Sequence, residues 1–159
     1  MKEVSIMKKV LMIAVALILV ACTFAACGGK TDVDLSSLLA DINTSHDISD
    51  LKILESTGDL NRYYSVAEED VKQFAAELTT KASQYNEVII VEAVDADAAD
   101  RVATQLNNHL DTQLNTAKSY DKDAVAMIEA CSVKQTNNIV YLVISEQSAE
   151  INKTIEDAI

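Results

Sequence analysis

Three cysteines, two histidines and a run of closely spaced aspartates are the residues of this chain whose types can do chemistry. Asp95, Asp97 and Asp100 suggest an oxygen-ligand cation site, but a calcium loop also needs a third acid at the next alternate position, a glycine and a distant glutamate. None of these follows, and acids at this spacing cap a helix N-terminus instead. His46 and His109 are not spaced as zinc ligands, which would lie a turn apart on a helix or beside cysteines. Ser45-His46-Asp47 holds the residue types of a hydrolytic triad, yet adjacent side chains diverge, and triads assemble from distant positions. Tyr63-Tyr64, after Arg62, is the one aromatic pair; a carbohydrate or peptide groove is one use of it, partial burial in the core the commoner one. Cys131 reads as a small buried hydrophobe at the start of a strand. No catalytic constellation emerges, so the chain is not expected to be an enzyme, and no metal or other cofactor is implied.

Cys22 and Cys27 are different, because what precedes them prescribes a modification. Lys8 and Lys9 form a positive start, Val10 to Val20 is an apolar run of export-leader length, and Met7 is the natural first residue, since Glu3 is out of place in such a start. A membrane-spanning helix needs roughly 20 apolar residues, and no stop-transfer cluster of Lys or Arg follows this run. Leu19-Val20-Ala21-Cys22 and Phe24-Ala25-Ala26-Cys27 both resemble the bacterial lipobox, whose cysteine is diacylated and becomes the mature N-terminus. Leu19 suits the first position better, whereas Gly28-Gly29 after Cys27 is the small, flexible start expected of a mature lipoprotein. Cys27 is preferred and Cys22 is the alternative. Two or more acyl chains on one cysteine make membrane residence stable where one does not. The expected organisation is a signal peptide over 1–26, a short linker over 27–33 and a single domain over 34–159. Seven residues from Cys27 to Asp34 reach about 25 Å at full extension, so the domain stays close to its membrane.

Removing residues 1–26 leaves 133 residues with 10 basic and 24 acidic side chains, a net charge of −14. That surface repels nucleic acid and anionic head-groups alike, so nucleic acid is excluded as a partner. With Cys22 removed and Cys27 taken by the lipid, Cys131 is the one cysteine left, so no intramolecular disulfide is expected. The chain has no proline and only three glycines, which rules out a proline-rich stalk.

The elements follow from periodicity. Asp34 caps a helix with Leu35, Leu38, Leu39 and Ile42 on one face. Residues 46–65 give no clear signal beyond a turn at Gly58-Asp59. Ser65 and Glu68 form a capping box, and Val71, Phe74, Ala75 and Leu78 predict a helix from about Val66; Phe74, Ala76, Leu78 and Thr80 also alternate, so 71–82 admits either helix or strand. Glu87 to Val94 is a strand, and Val88-Ile89-Ile90-Val91, apolar on both faces, makes it central. Asp97 to Lys118 is the strongest helix, with a stripe of Ala99, Val102, Ala103, Leu106, Leu110, Leu114 and Ala117, and His109 on its flank. A short helix follows over about Asp123 to Glu129. Cys131 to Gln135 and Ile139 to Ser145 form a hairpin about Asn137-Asn138, and Ser148 to Ile159 is a closing helix. The sum is α+β: a small antiparallel sheet with a long helix and short terminal helices packed on one face.

The stretch from Asp59-Leu60 through Glu87-Val88-Ile89-Ile90-Val91 and the long helix, on to Val133-Lys134-Gln135 and Tyr141-Leu142-Val143-Ile144-Ser145, resembles a bacterial lipoprotein family, the domain of unknown function 4358. The resemblance runs over about 34–158. It implies a lipobox leader and this order of elements, and no established activity. The functional expectation is a membrane-anchored extracytoplasmic lipoprotein, tied to the cell membrane through a diacylglyceryl-modified cysteine. Its domain is a non-catalytic interaction module meeting another envelope protein or a wall component. The alternative is a solute-binding or sensing lipoprotein serving a transporter or receptor; its usual two-lobed form needs more than 133 residues.

Overall fold

Strand Glu87–Ala93 (β3) is the axis of the molecule, as its β-branched run requires: Val88, Ile89, Ile90 and Val91 are each at most 1% exposed. A strand apolar on both faces is stable only when both are covered and both edges paired. The computed structural model, which describes residues 33–46, 48, 50–81 and 84–159, meets both conditions. β3 pairs on one side with β2 (Val71–Leu78), and β2 in turn with the two-residue β1 (Lys52–Ile53). On the other side it pairs with β5 (Ile139–Ile144), which carries the three-residue β4 (Lys134–Thr136). The sheet has five strands in the order β1-β2-β3-β5-β4, every pairing antiparallel. These elements lie within one compact unit, Asp32–Ile159.

The α+β class and the antiparallel sheet are as expected; the placing of helices on one face is not. Alternation along the strands sends Ile89, Val91, Val140, Leu142 and Ile144 to a first face and Val88, Ile90, Tyr141 and Val143 to a second. Helix α3 (Ala96–Tyr120) covers the first with Ala98, Ala99, Val102 and Leu106, helped by α2 (Thr57–Tyr64) and α4 (Val125–Glu129). Helices α1 (Leu35–Ser45) and α5 (Ser148–Ala158) cover the second with Leu35, Leu38, Leu39, Ile42, Ile151 and Ile155. The terminal helices must lie opposite the long one, because a single layer would leave Val88, Ile90 and Val143 in water at a cost of about 1.5–3 kcal/mol for each large side chain.

Three local expectations are corrected. Gly58 and Asp59 do not make a turn but open α2, whose N-cap is Ser56, its Oγ accepting the Asp59 amide at 3.1 Å. Ser65 starts no helix; it ends α2 in the left-handed region at φ 57°. Only a short 3-10 turn, Glu68–Asp70, follows before β2, so 71–78 is strand. The two-residue period prevails because Phe74, Ala76 and Leu78 join the α3 face while the backbone pairs with β3 along most of the strand. Cys131 lies ahead of β4 and not on it; it is buried, its thiol near the Met127 carbonyl oxygen at 3.2 Å. Asn137 turns the β4–β5 hairpin at φ 54°, a conformation asparagine tolerates. The signal peptide over 1–26, the linker up to residue 32 and the lipidation candidates Cys22 and Cys27 lie outside the described residues. Among those described, no helix is long and apolar enough to cross a membrane.

Candidate functional site

Glu87 opens the most apolar strand of the chain and, by its odd position, points under α3. It is 4% exposed, and two partners reach it. The Tyr64 hydroxyl donates to Oε2 at 2.7 Å, and His109 Nε2 lies 3.0 and 2.9 Å from the two carboxylate oxygens. Since both oxygens are acceptors, Nε2 carries the hydrogen, which fixes the tautomer of a neutral ring. The Tyr64 ring meets the imidazole edge-on, centroids 4.6 Å apart. Burial, reinforced by the Glu87 charge, drives the Tyr64 hydroxyl far above its ordinary value and keeps it a donor. Thus α2, β3 and α3 are tied at one point by polar groups, beneath an otherwise apolar layer.

Above this tie runs a shallow trough between the end of α2 and the flank of α3. One hollow of about 200 Å³ is lined by Tyr63, Ser65, Gln105, Asn108, His109 and Thr112, among others. A second, also about 200 Å³, shares Ser65 and Gln105 and extends to Asp70 and Arg101. Arg101 grips Asp70 with Nε at 3.1 Å from each carboxylate oxygen and with Nη2 on Oδ1. These bonds hold the buried Asp70 carboxyl below the usual carboxylate value. They also neutralise the Arg101 guanidinium, so the trough presents amides, hydroxyls and a tyrosine ring beside the apolar Val66, Ala67 and Val102.

The arrangement holds a histidine in one orientation. Ser65 and Thr112 line the same hollow, yet neither hydroxyl hydrogen-bonds to His109, whose Nε2 hydrogen goes to Glu87. An acyl-transfer centre needs that nucleophile-to-base bond. Two other hollows, about 160 Å³ beside His46 and about 290 Å³ beside Asp121 and Asp123, are likewise smaller than the roughly 300–1,000 Å³ of small-molecule sites.

The residues singled out in the sequence are dispersed. Asp95 is the α3 N-cap, its Oδ1 accepting the Ala98 amide at 2.8 Å, Asp97 sits in the first helical turn, and Asp100 accepts from Gln135 Nε2 at 3.1 Å. No group of three or more His, Cys, Asp or Glu that suits a metal occurs among the described residues. His46 ends α1 and meets Thr154 Oγ1 at 3.1 Å, far in sequence and on the second face's helices. Of the aromatic pair, Tyr64 is buried, whereas Tyr63 stays partly exposed, with Lys52 Nζ 5.2 Å and the Arg62 guanidinium carbon 5.7 Å from its ring centre. Sequence reasoning missed Glu87, whose one local signal was an acid heading a four-residue apolar run.

No curated protein and no solved structure matches the chain. The sequence model described as Domain of unknown function (DUF4358) matches residues 44–145, which take in the whole sheet, α2, α3 and α4 but stop short of α5 and of nearly all of α1. With the sheet, its long helix and the Tyr64–Glu87–His109 tie all inside that match, the chain belongs to the Domain of unknown function (DUF4358) family.

Proposed function

We propose that this protein is an extracytoplasmic lipoprotein of the cell membrane, held by a diacylglyceryl group on Cys27, with Cys22 the alternative. Its domain is a non-catalytic interaction module that contacts another envelope protein or a wall component. The observation that carries the anchoring is the leader itself: Lys8-Lys9, the apolar run to Val20 and a small-residue cysteine followed by Gly28-Gly29. The trough along α3 favours contact over capture, because its hollows of about 200 Å³ are open and too small to enclose a solute. Its Tyr63 ring, Asn108 amide and Thr112 hydroxyl are groups that bind extended partners through stacking and hydrogen bonds.

Labelling with a radioactive fatty acid in the native host tests the anchor: the wild type takes up label, Cys27→Ala does not, and Cys22→Ala still does. An unlabelled wild type overturns the anchoring; the reverse pattern moves it to Cys22. Cross-linking and pull-down from the same membranes then test the trough. A partner retained by wild type and lost with Tyr63→Ala plus Asn108→Ala supports it, and a partner retained equally by both places the contact elsewhere.

A further inference from the structure

On the second face of the sheet, Glu77 is 2% exposed and carries its carboxyl against the last turn of α1. Asn43 Nδ2 donates to Oε2 at 2.9 Å. The two remaining oxygens, Glu77 Oε1 and Asn43 Oδ1, are both buried and lack a hydrogen-bond partner. A planar carboxyl and a planar carboxamide that share one such bond through the amide hydrogen cis to the amide oxygen can close a ring with a second bond between their other two oxygens. If Glu77 were ionised, both orphans would be buried acceptors with no donor, a state buried polar groups rarely adopt.

One proton on Oε1 satisfies both orphans at once. We propose that Glu77 is a neutral carboxylic acid in the folded domain, donating from Oε1 to Asn43 Oδ1, and that this reciprocal acid–amide pair clamps the end of α1 to the sheet and opens when the proton is lost.

Independent features of the surroundings agree. Ile53 of β1 and Val88 of β3 stand opposite Glu77 in the register, so no cation flanks it across the sheet. The charged and titratable groups of the adjoining elements are engaged elsewhere. Lys52 reaches Tyr63, Lys81 reaches Asp50, Glu87 is bound under α3, and His46 meets Thr154, while Asp41 is exposed on α1. Burial raises the Glu77 carboxyl above its ordinary 4.5, and the bond from Asn43 opposes this only in part. Below that ordinary value the group is protonated in folded and unfolded chains alike, and the clamp contributes in full. As pH rises from there through the raised folded value, the unfolded chain gives up its proton first, and the contribution is lost.

The rest of α1 has other holds. Leu35, Leu38, Leu39 and Ile42 are buried, and the Gln73 amide spans the Val33 carbonyl at 2.8 Å and the Leu35 amide at 3.4 Å. Loss of the proton therefore loosens the final turn at Asn43, with His46 still bonded to Thr154, and not the whole helix. On the extracytoplasmic face proposed above this seam meets ambient pH directly, but the clamp does not depend on that placement.

Glu77→Gln in the full-length chain is the test, since a glutamine donates and accepts as the neutral acid does and cannot titrate. Carbon-13 spectra of glutamate-labelled protein, assigned by the resonance that Glu77→Gln removes, should show this carboxyl titrating well above 4.5. Amide exchange over residues 42–46, compared between the two proteins at equal pH, should be the same near pH 4. It should run faster in wild type near pH 8, by about tenfold for each pH unit that separates the folded value from the ordinary one. A Glu77 carboxyl already ionised at pH 5, as a bridging water would allow, overturns the proposal. So does a Glu77→Gln chain that exchanges faster at every pH or fails to fold.

Discussion

At His109 the ring is held from two directions, by the buried Glu87 carboxylate and by the edge-on contact with Tyr64, so its position is set before anything binds in the trough above. The Tyr64 hydroxyl carries part of that hold. Tyr64→Phe keeps the ring and deletes a 2.7 Å bond to a buried carboxylate, which leaves Glu87 to His109 alone. The expected loss is about 1.5–3 kcal/mol, the range for a hydrogen bond to a charged group, read from urea denaturation at pH 7. At this scale the sequence was least informative. The polar tie joins residues 64, 87 and 109, and nothing in the local pattern around any of them announces the other two. The cap at Asp95 was legible because an N-cap is a local device, whereas Glu87 needed the sheet to bring it under α3.

Elements were legible where one period dominated. Helix α3, β3, the β4–β5 hairpin and the terminal helices follow from their stripes, and the lapse at Ser65 to Leu78 came from a segment whose apolar residues fit both periods. What decides such a segment is tertiary: β3 needed a partner on its open side, and β2 supplies it. Ser65 also shows a cost the sequence hid. It ends α2 at φ 57°, where a side chain is disfavoured and glycine is not. Ser65→Gly should therefore stabilise the domain by up to about 1 kcal/mol, the strain relieved less the added freedom of the unfolded chain. A melting temperature that falls instead would mean that the serine side chain supports the trough it lines.

The unit Asp32–Ile159 has three layers, and its second layer of helices lies almost entirely beyond the matched family region. A chain ending at Ser145 keeps that entire region yet loses Ile151 and Ile155, both fully buried, and bares Tyr141, Val143 and Ile90. Such a chain should lose cooperative unfolding, seen as a collapsed dispersion of amide resonances; a well-folded product would show that α5 is dispensable. The two borders of the sheet carry a further consequence. One ends in the two-residue β1 with Lys52, the other in the three-residue β4 with Lys134, and the part of β2 that β1 does not reach is broken by a bulge between Val71 and Gln73. A neighbouring copy thus finds no long, uncharged ribbon of free amides to zip onto. Molecules packed side by side at high density should slide past one another without seeding fibrils.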